Sequence, residues 1–454
     1  MTEQDLTGRL RDRYPSRSRP VGFYPLPTTR VAPGAFASRY RPVPTPGPRR
    51  GLLYVHVPFC RQRCAFCRFY PGPYRDGSAD TYTETVLAEA AAWGALRAAD
   101  PLAAPIEAVF LGGGSPSALS IEQLTRVVRS LRDSFPFVDP TEITLEWYPK
   151  DADPEKFAAA AALGVSRVSF GIQTWNPVTA KGMGTWHTAD QADLVLATAV
   201  AAGFTNFNID LMLNVPEQSL DDALRDVERA LSWQPSMISL NPLEVTEGTP
   251  LAMRARRTGF RERDDEKQAW LHEARQPLLA AGYRHQRARN FALPGRHHRY
   301  NRATVGIDYD IVPIGPGAYG FVGGWALINA LTPDAWAAAV GGAGISVHGL
   351  EAPSNDELRR SFAVTSMLEL FEDTVAYQRQ FGNALADDFP FVGELLDMGA
   401  MKARDGKLWL VEEAAIFSDD VGTEFSSSTQ GALFARHLKV GRTRTASQYF
   451  PVGG

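Results

Sequence analysis

The chain has 454 residues, 44% of them hydrophobic and 22% charged, with a formal net charge of -4. That is enough apolar material for one large domain and one or two smaller ones, and the weakly negative balance argues against a general nucleic-acid surface. No uncharged apolar run reaches the roughly 18 residues that span a bilayer, and Met1 to Asp12 is polar where a signal peptide carries an apolar stretch. A cytoplasmic protein with neither membrane nor nucleic-acid partners is expected.

The first segment, 1–50, is an arm with ten arginines against three acids and many prolines. It reads either as a solvated leader or as a clamp folded over an acidic substrate. From 51 onward, short β-branched runs alternate with amphipathic segments, the pattern of parallel βα units. Strands are predicted near 51–57, 106–111, 141–146, 166–171, 205–211 and 236–240. Ser120 and Ser219 are predicted N-caps. Apolar residues follow each at helical spacing: Ile121, Leu124, Val128 and Leu131 after the first, Leu220, Leu224, Val227 and Leu231 after the second. These units predict an α/β fold, a partial or complete TIM-type (β/α) barrel, with its core over 51–260. A barrel-completing segment over 261–350 contains the glycine-rich "PIGPGAYGFVGG". A small α+β C-terminal domain over 351–454 is expected to cover the substrate.

All three cysteines, Cys60, Cys64 and Cys67, fall in "YVHVPFCRQRCAFCRFY". An odd, clustered set in a long chain points to thiolate chemistry rather than a disulfide framework. Structural zinc needs one more ligand than the cysteines supply. His56 would complete it, but lies inside the strand "YVHV", where histidine more often packs or hydrogen-bonds. In a 4Fe–4S cluster the same shortage leaves one iron open, which is useful for catalysis.

Barrel enzymes place their active sites at the C-terminal ends of the strands. Here those ends carry the cysteine loop, "LGGGSP" (Gly112, Gly113, Gly114, Ser115), Glu146 in "TLEWYP", Gln173 in "FGIQTWN", Asp210 in "NIDLMLNVP" and Asn241 in "SLNPLEV". A glycine triplet alone marks a tight turn, and a single loop acid is most often solvated. Their convergence on one mouth favours a binding site.

The C-x3-C-x2-C spacing, with Phe66 before the last cysteine, is the signature of the radical S-adenosylmethionine (SAM) superfamily. With "VFLGGGSPS", "EITLEWYP", "GVSRVSFGIQTWN", "AGFTNFNIDLMLNVP" and "GTPL", the chain resembles the oxygen-independent coproporphyrinogen oxidase family over about 51–325. The resemblance implies a 4Fe–4S cluster on the three cysteines and two SAM molecules. Tyr54, Gly113, Glu146 and Tyr319 match positions around the first SAM. Phe66, Gly114, Ser115, Gln173 and Asp210 match positions around the second, and Gly112 and Asn241 lie beside them.

The departures are "RFYPGPY" after Cys67, "EWYP" for the usual "E-(A/V)-(N/D)-P", Thr185 where a "GRTHT"-like stretch has arginine, and Asn214 in "NVP" for "GLP". Of these, the "CxFCxFY" stretch around Cys67 and "EW-x-P" look like the anaerobic haem-degrading methyltransferases and their natural-product relatives. The expected activity is therefore that of a class C radical SAM methyltransferase. One SAM is cleaved at the cluster, and the second gives a methyl or methylene group to an sp2 carbon of an unsaturated heteroaromatic small molecule, by C-methylation or cyclopropanation. A low-potential donor such as flavodoxin or ferredoxin is the implied partner. His297, His298 and Tyr300 in "GRHHRYN" are proton-handling candidates, or else part of an exposed basic loop. Trp147, Phe170, Trp175 and Trp186 are candidates for an apolar lining, although aromatics near strand ends are more often core. Two other readings stay open. One is decarboxylation of a tetrapyrrole propionate, with the arginine-rich arm as carboxylate clamp. The other is a haem-binding chaperone without turnover, in which His or Tyr would ligate haem because no cysteine remains outside the cluster.

Overall fold

The computed structural model describes residues 3–15, 23–45, 47–67, 72–73, 77–185 and 187–439. Most of "RFYPGPY", and Trp186, lie outside them. The predicted strands appear as β1 (Arg49–Val57), β2 (Ala103–Gly113), β3 (Phe137–Trp147), β4 (Arg167–Gln173), β5 (Phe207–Leu213) and β6 (Met237–Pro242). They run parallel in sequence order, each pairing with the next. Beyond β6 lies an antiparallel hairpin, β7 (Arg284–Arg287) and β8 (Asn290–Ala292), of which β8 pairs with β6. On the other side β9 (Tyr309–Ile314) pairs parallel with β1. An antiparallel run follows it: β10 (Tyr319–Val322), β11 (Trp325–Asn329) and β12 (Val347–Glu351). The sheet order runs from one edge to the other without closing, so the barrel is partial. The antiparallel extensions were not predicted, because their strands are short and fully or largely buried and carry no clean two-residue alternation.

Both predicted caps form. Ser120 and Ser219 each accept from the backbone N–H three residues on, and Gln123 and Asp222 close the capping boxes. The helix Ile121–Ser134 turns Leu124, Val127, Val128 and Leu131 to the core. In Leu220–Ser232 the fully buried positions are Ala223, Asp226, Val227 and Ala230, while Leu220, Leu224 and Leu231 pack at the core's margin. Ser219→Ala is expected to lower stability by about 1 kcal/mol, read as a lower urea midpoint with an unchanged slope.

The lower end of the barrel, away from the strand C-termini, is held by a buried ion cluster. Arg49, at the start of β1, donates to Asp310 of β9 (2.9 Å) and pairs with Asp100. Arg97 also meets Asp310 (2.5 Å), and Tyr40 donates to Asp100 (2.8 Å). Arg49 and Asp310 are fully buried.

The arm corrects one expectation. Where described, it is packed rather than solvated. Its helix Glu3–Arg13 buries Leu6 and Leu10, and Arg13 pairs with Glu424 (2.8 Å) and Glu394 (2.7 Å) of the C-terminal segment. The backbone N–H of Leu26 donates to Gln430 (2.8 Å), and Thr29–Arg30 adds an edge strand to β12. The C-terminal segment carries a small three-stranded sheet, Phe371–Asp373, Lys407–Leu410 and Met401–Arg404, among short helices. No described helix is long and apolar enough to cross a membrane.

Candidate active site

At the upper ends of β1–β6 lies a cavity of about 460 Å³. Cys60, Cys64 and Cys67 line it from a loop that leaves β1 and is pinned on both flanks. Ala65 N–H donates to Met183 O (3.0 Å), and Leu251 N–H donates to Ala65 O (2.8 Å). The Cys60 Sγ lies 3.5 Å from Ser115 Oγ. Burial pushes the Cys60 and Cys64 thiols up to about 12, so metal must displace their protons on binding. Among the described residues, no three His, Cys, Asp or Glu side chains converge closely enough for a single ion.

The wall opposite the loop is built from the strand ends. Gly113 N–H donates to Glu146 Oε2 (2.8 Å). Burial raises Glu146 to about 7, and that hydrogen bond opposes the shift. Gly114 has no room for a side chain, since a Cβ there would meet Phe59 O at 2.3 Å. The chain therefore presents bare backbone beside Cys60. Asp210 accepts from Asn208 (2.9 Å) and is raised by burial. Two non-glycine residues at these ends hold left-handed backbone, Gln173 (φ 67) and Asn214 (φ 58). Strain of this kind concentrates at functional sites. Phe66, Ser115 and Asn241 also line the cavity.

Other sequence candidates lie elsewhere. Gly112 sits behind the wall, its Cβ position filled by Phe110 and Glu146. Tyr54 lies below, its hydroxyl 2.9 Å from His56 Nδ1 and its ring against Phe110. Tyr319 is buried against Phe23 and donates to Pro25 O, so the arm covers it. The "GRHHRYN" residues are not gathered at the mouth. His298 is buried beside Thr144 (3.4 Å) and held neutral by desolvation. Tyr300 packs on Phe110 (5.5 Å), and His297 is partly exposed. Of the aromatics, Trp147 lines the cavity while stacking on Phe157 (3.8 Å). Phe170 and Trp175 are core, the latter donating to Asp193 (2.9 Å).

Sequence reasoning missed Tyr148, His187 and Arg289, all in the cavity wall. Tyr148 stands in the quoted "EWYP", its hydroxyl buried and without a partner among the described residues. His187 bonds Ile172 O through Nε2 (2.9 Å). Arg289 belongs to no motif and arrives through the β7–β8 hairpin.

The family model for the radical SAM superfamily matches residues 54–230. The chain is 33% identical to the heme chaperone HemW of Mycobacterium tuberculosis, over 69% of this chain and 80% of that one. The chain belongs to the coproporphyrinogen oxidase-like family of radical SAM proteins. It is also 30% identical to HemW of Lactococcus lactis, over 60% of this chain and 69% of that one. The solved coproporphyrinogen III oxidase (HemN) of Escherichia coli superposes with a TM-score of 0.75 at 22% identity, covering 92% of this chain and 98% of that one. That likeness shows the fold. These findings overturn the expected class C methyltransferase, with its methyl transfer or cyclopropanation. The motif departures that suggested it are short stretches of a chain that is otherwise similar to HemW over most of its length.

Membership implies a 4Fe–4S cluster and SAM, and the residues fit both. The cysteine loop, the bare backbone at Gly114 and the unpartnered Tyr148 hydroxyl surround one space. When bound, the cluster supplies a low-potential electron to SAM. Cys60, Cys64 and Cys67 would hold the cluster, and the Glu146 carboxylate in the same wall is an acceptor available to a ligand's N–H or O–H donors. Glu146→Gln keeps an acceptor for Gly113 but removes the charge. It is expected to weaken SAM binding to the cluster-loaded protein about tenfold, measured by isothermal titration.

Proposed function

We propose that this chain is a haem-handling chaperone of the HemW type, carrying a 4Fe–4S cluster and SAM in its barrel mouth. The observation that carries this reading is the 33% identity to a heme chaperone across 80% of that protein's length. The 29% identity to HemW of Escherichia coli, over 70% of its length, points the same way. All three cysteines stand in the cluster loop, so haem ligation falls to histidine or tyrosine. A second SAM remains part of the proposal, with Phe66, Gly114, Ser115, Gln173 and Asp210 around it and Thr185 in place of the family's arginine. A flavodoxin or ferredoxin is the proposed electron donor.

The test is an anaerobic titration of the cluster-loaded protein with haem, followed by absorption spectroscopy. Saturable, equimolar binding with a shifted Soret band is expected. Absence of saturable binding would overturn the reading.

A further inference from the structure

We propose that Arg289 is a carboxylate-binding residue of the mouth, held ready by Asp419 of the C-terminal segment. The arginines that the sequence offered for this task are elsewhere. None of the arm's described arginines lines the cavity, and Thr185, which does, stands where the family's arginine is expected. The cavity's own arginines are Arg61, Arg63 and Arg289. Arg61 is an exposed rim residue, 3.9 Å from Asp151, and Arg63 reaches Gly248 O (3.3 Å). Arg289 combines a largely buried side chain, 15% exposed, with a place in the cavity wall.

Its hairpin neighbour shows what a purely structural arginine looks like here. Arg287 donates to Glu369 (2.7 Å), Asn301 O (2.9 Å) and Thr304 Oγ1 (3.1 Å), so its Nε and Nη2 are both committed within the protein. Arg289 instead makes one longer ion pair, 3.3 Å to the buried Asp419. A guanidinium is a planar fork of N–H donors matched to a carboxylate, and a largely buried one with a single long contact is under-satisfied. Its backbone is fixed, because Arg289 O accepts from Leu240 N–H (2.8 Å), next to the cavity residue Asn241. The free part of the fork therefore opens on the mouth beside β6. A ligand carboxylate there would complete the pairing that Asp419 begins.

Two ligands bring such a group: SAM through its methionyl end and a tetrapyrrole through a propionate. The propionate arm rests on the haem-handling reading, and the SAM arm does not. The experiment uses cluster-loaded wild type, Arg289→Ala, Arg289→Lys and Asp419→Asn. Each is titrated with zinc mesoporphyrin and its dimethyl ester by fluorescence anisotropy, and with SAM by calorimetry. Arg289→Ala should weaken whichever free carboxylate the site holds by about tenfold or more, and Arg289→Lys should recover part of it. If the occupant is the propionate, the ester should be insensitive to the substitution; if it is the methionyl end, SAM affinity should fall and both porphyrins hold. Asp419→Asn loosens the anchor and should weaken the same free carboxylate by a smaller factor than Arg289→Ala, leaving the other ligand unchanged, which a merely structural pair would not do. Unchanged affinity for both ligands in Arg289→Ala would overturn the proposal, as would an equal loss for the free porphyrin and its dimethyl ester with SAM unchanged. If wild type binds no porphyrin, the haem reading falls and the SAM titration alone decides Arg289.

Discussion

Replacing any one of Cys60, Cys64 or Cys67 with alanine is expected to abolish cluster assembly, taking iron and sulfide content to background. The chain has three cysteines and no spare, and a cluster with an open iron already uses the minimum ligand set. The fold should survive. The loop is anchored by backbone hydrogen bonds from Ala65 to Met183 and from Leu251 to Ala65, none of which involves a thiol. Burial raises the free Cys60 and Cys64 thiols to about 12, so the apoprotein holds them neutral. Losing one removes a small, partly buried group. Anaerobic reconstitution, with metal analysis, visible absorption and far-ultraviolet circular dichroism on the same samples, checks both halves. A variant that retained a normal cluster would contradict the assignment of the loop.

Asp310→Ala is expected to destabilise the protein by about 3–5 kcal/mol, the largest stability effect of a single substitution proposed here. Asp310 neutralises Arg49 and Arg97 together and accepts Gly323 N–H (2.8 Å). Its removal leaves two buried guanidinium groups sharing what Asp100 and Ala104 O can offer. An uncompensated buried charge is far more costly than the loss of an exposed pair. Asp310→Asn, which retains an acceptor for Gly323, should fall between wild type and alanine. The cluster lies at the opposite end of the barrel, so iron content per folded molecule should not change. Urea unfolding gives the first quantity and metal analysis the second.

The strand ends were legible because parallel βα units announce themselves by alternation, and because a barrel must bring its strand C-termini together. The cysteine loop, Gly113, Gly114, Ser115, Glu146, Gln173, Asp210 and Asn241 do share one cavity. Tyr54 and Tyr319 lie behind or below it, and a motif position cannot show which side of the wall a side chain takes. The arm misled through composition. Its arginine count suggested either a solvated leader or a clamp, whereas Arg13 meets Glu424, Arg49 meets Asp310, and both partners are remote in sequence. Arg289 was invisible for a related reason: only the pairing of β8 with β6 brings that hairpin to the mouth. The function was misread at "CxFCxFY" and "EWYP". Substitutions there change what the mouth contacts and leave the scaffold intact, so by themselves they do not separate a transferase from a binder.

The most direct test of the account is the fate of bound haem. Cluster-loaded protein would be incubated anaerobically with haem, SAM and a reduced flavodoxin, then denatured and its tetrapyrroles analysed by mass spectrometry. A chaperone returns haem of unchanged mass, transferable to an apo-haemoprotein added in a parallel sample. Recovery of a methylated, decarboxylated or ring-opened tetrapyrrole, formed in step with SAM consumption, would contradict it.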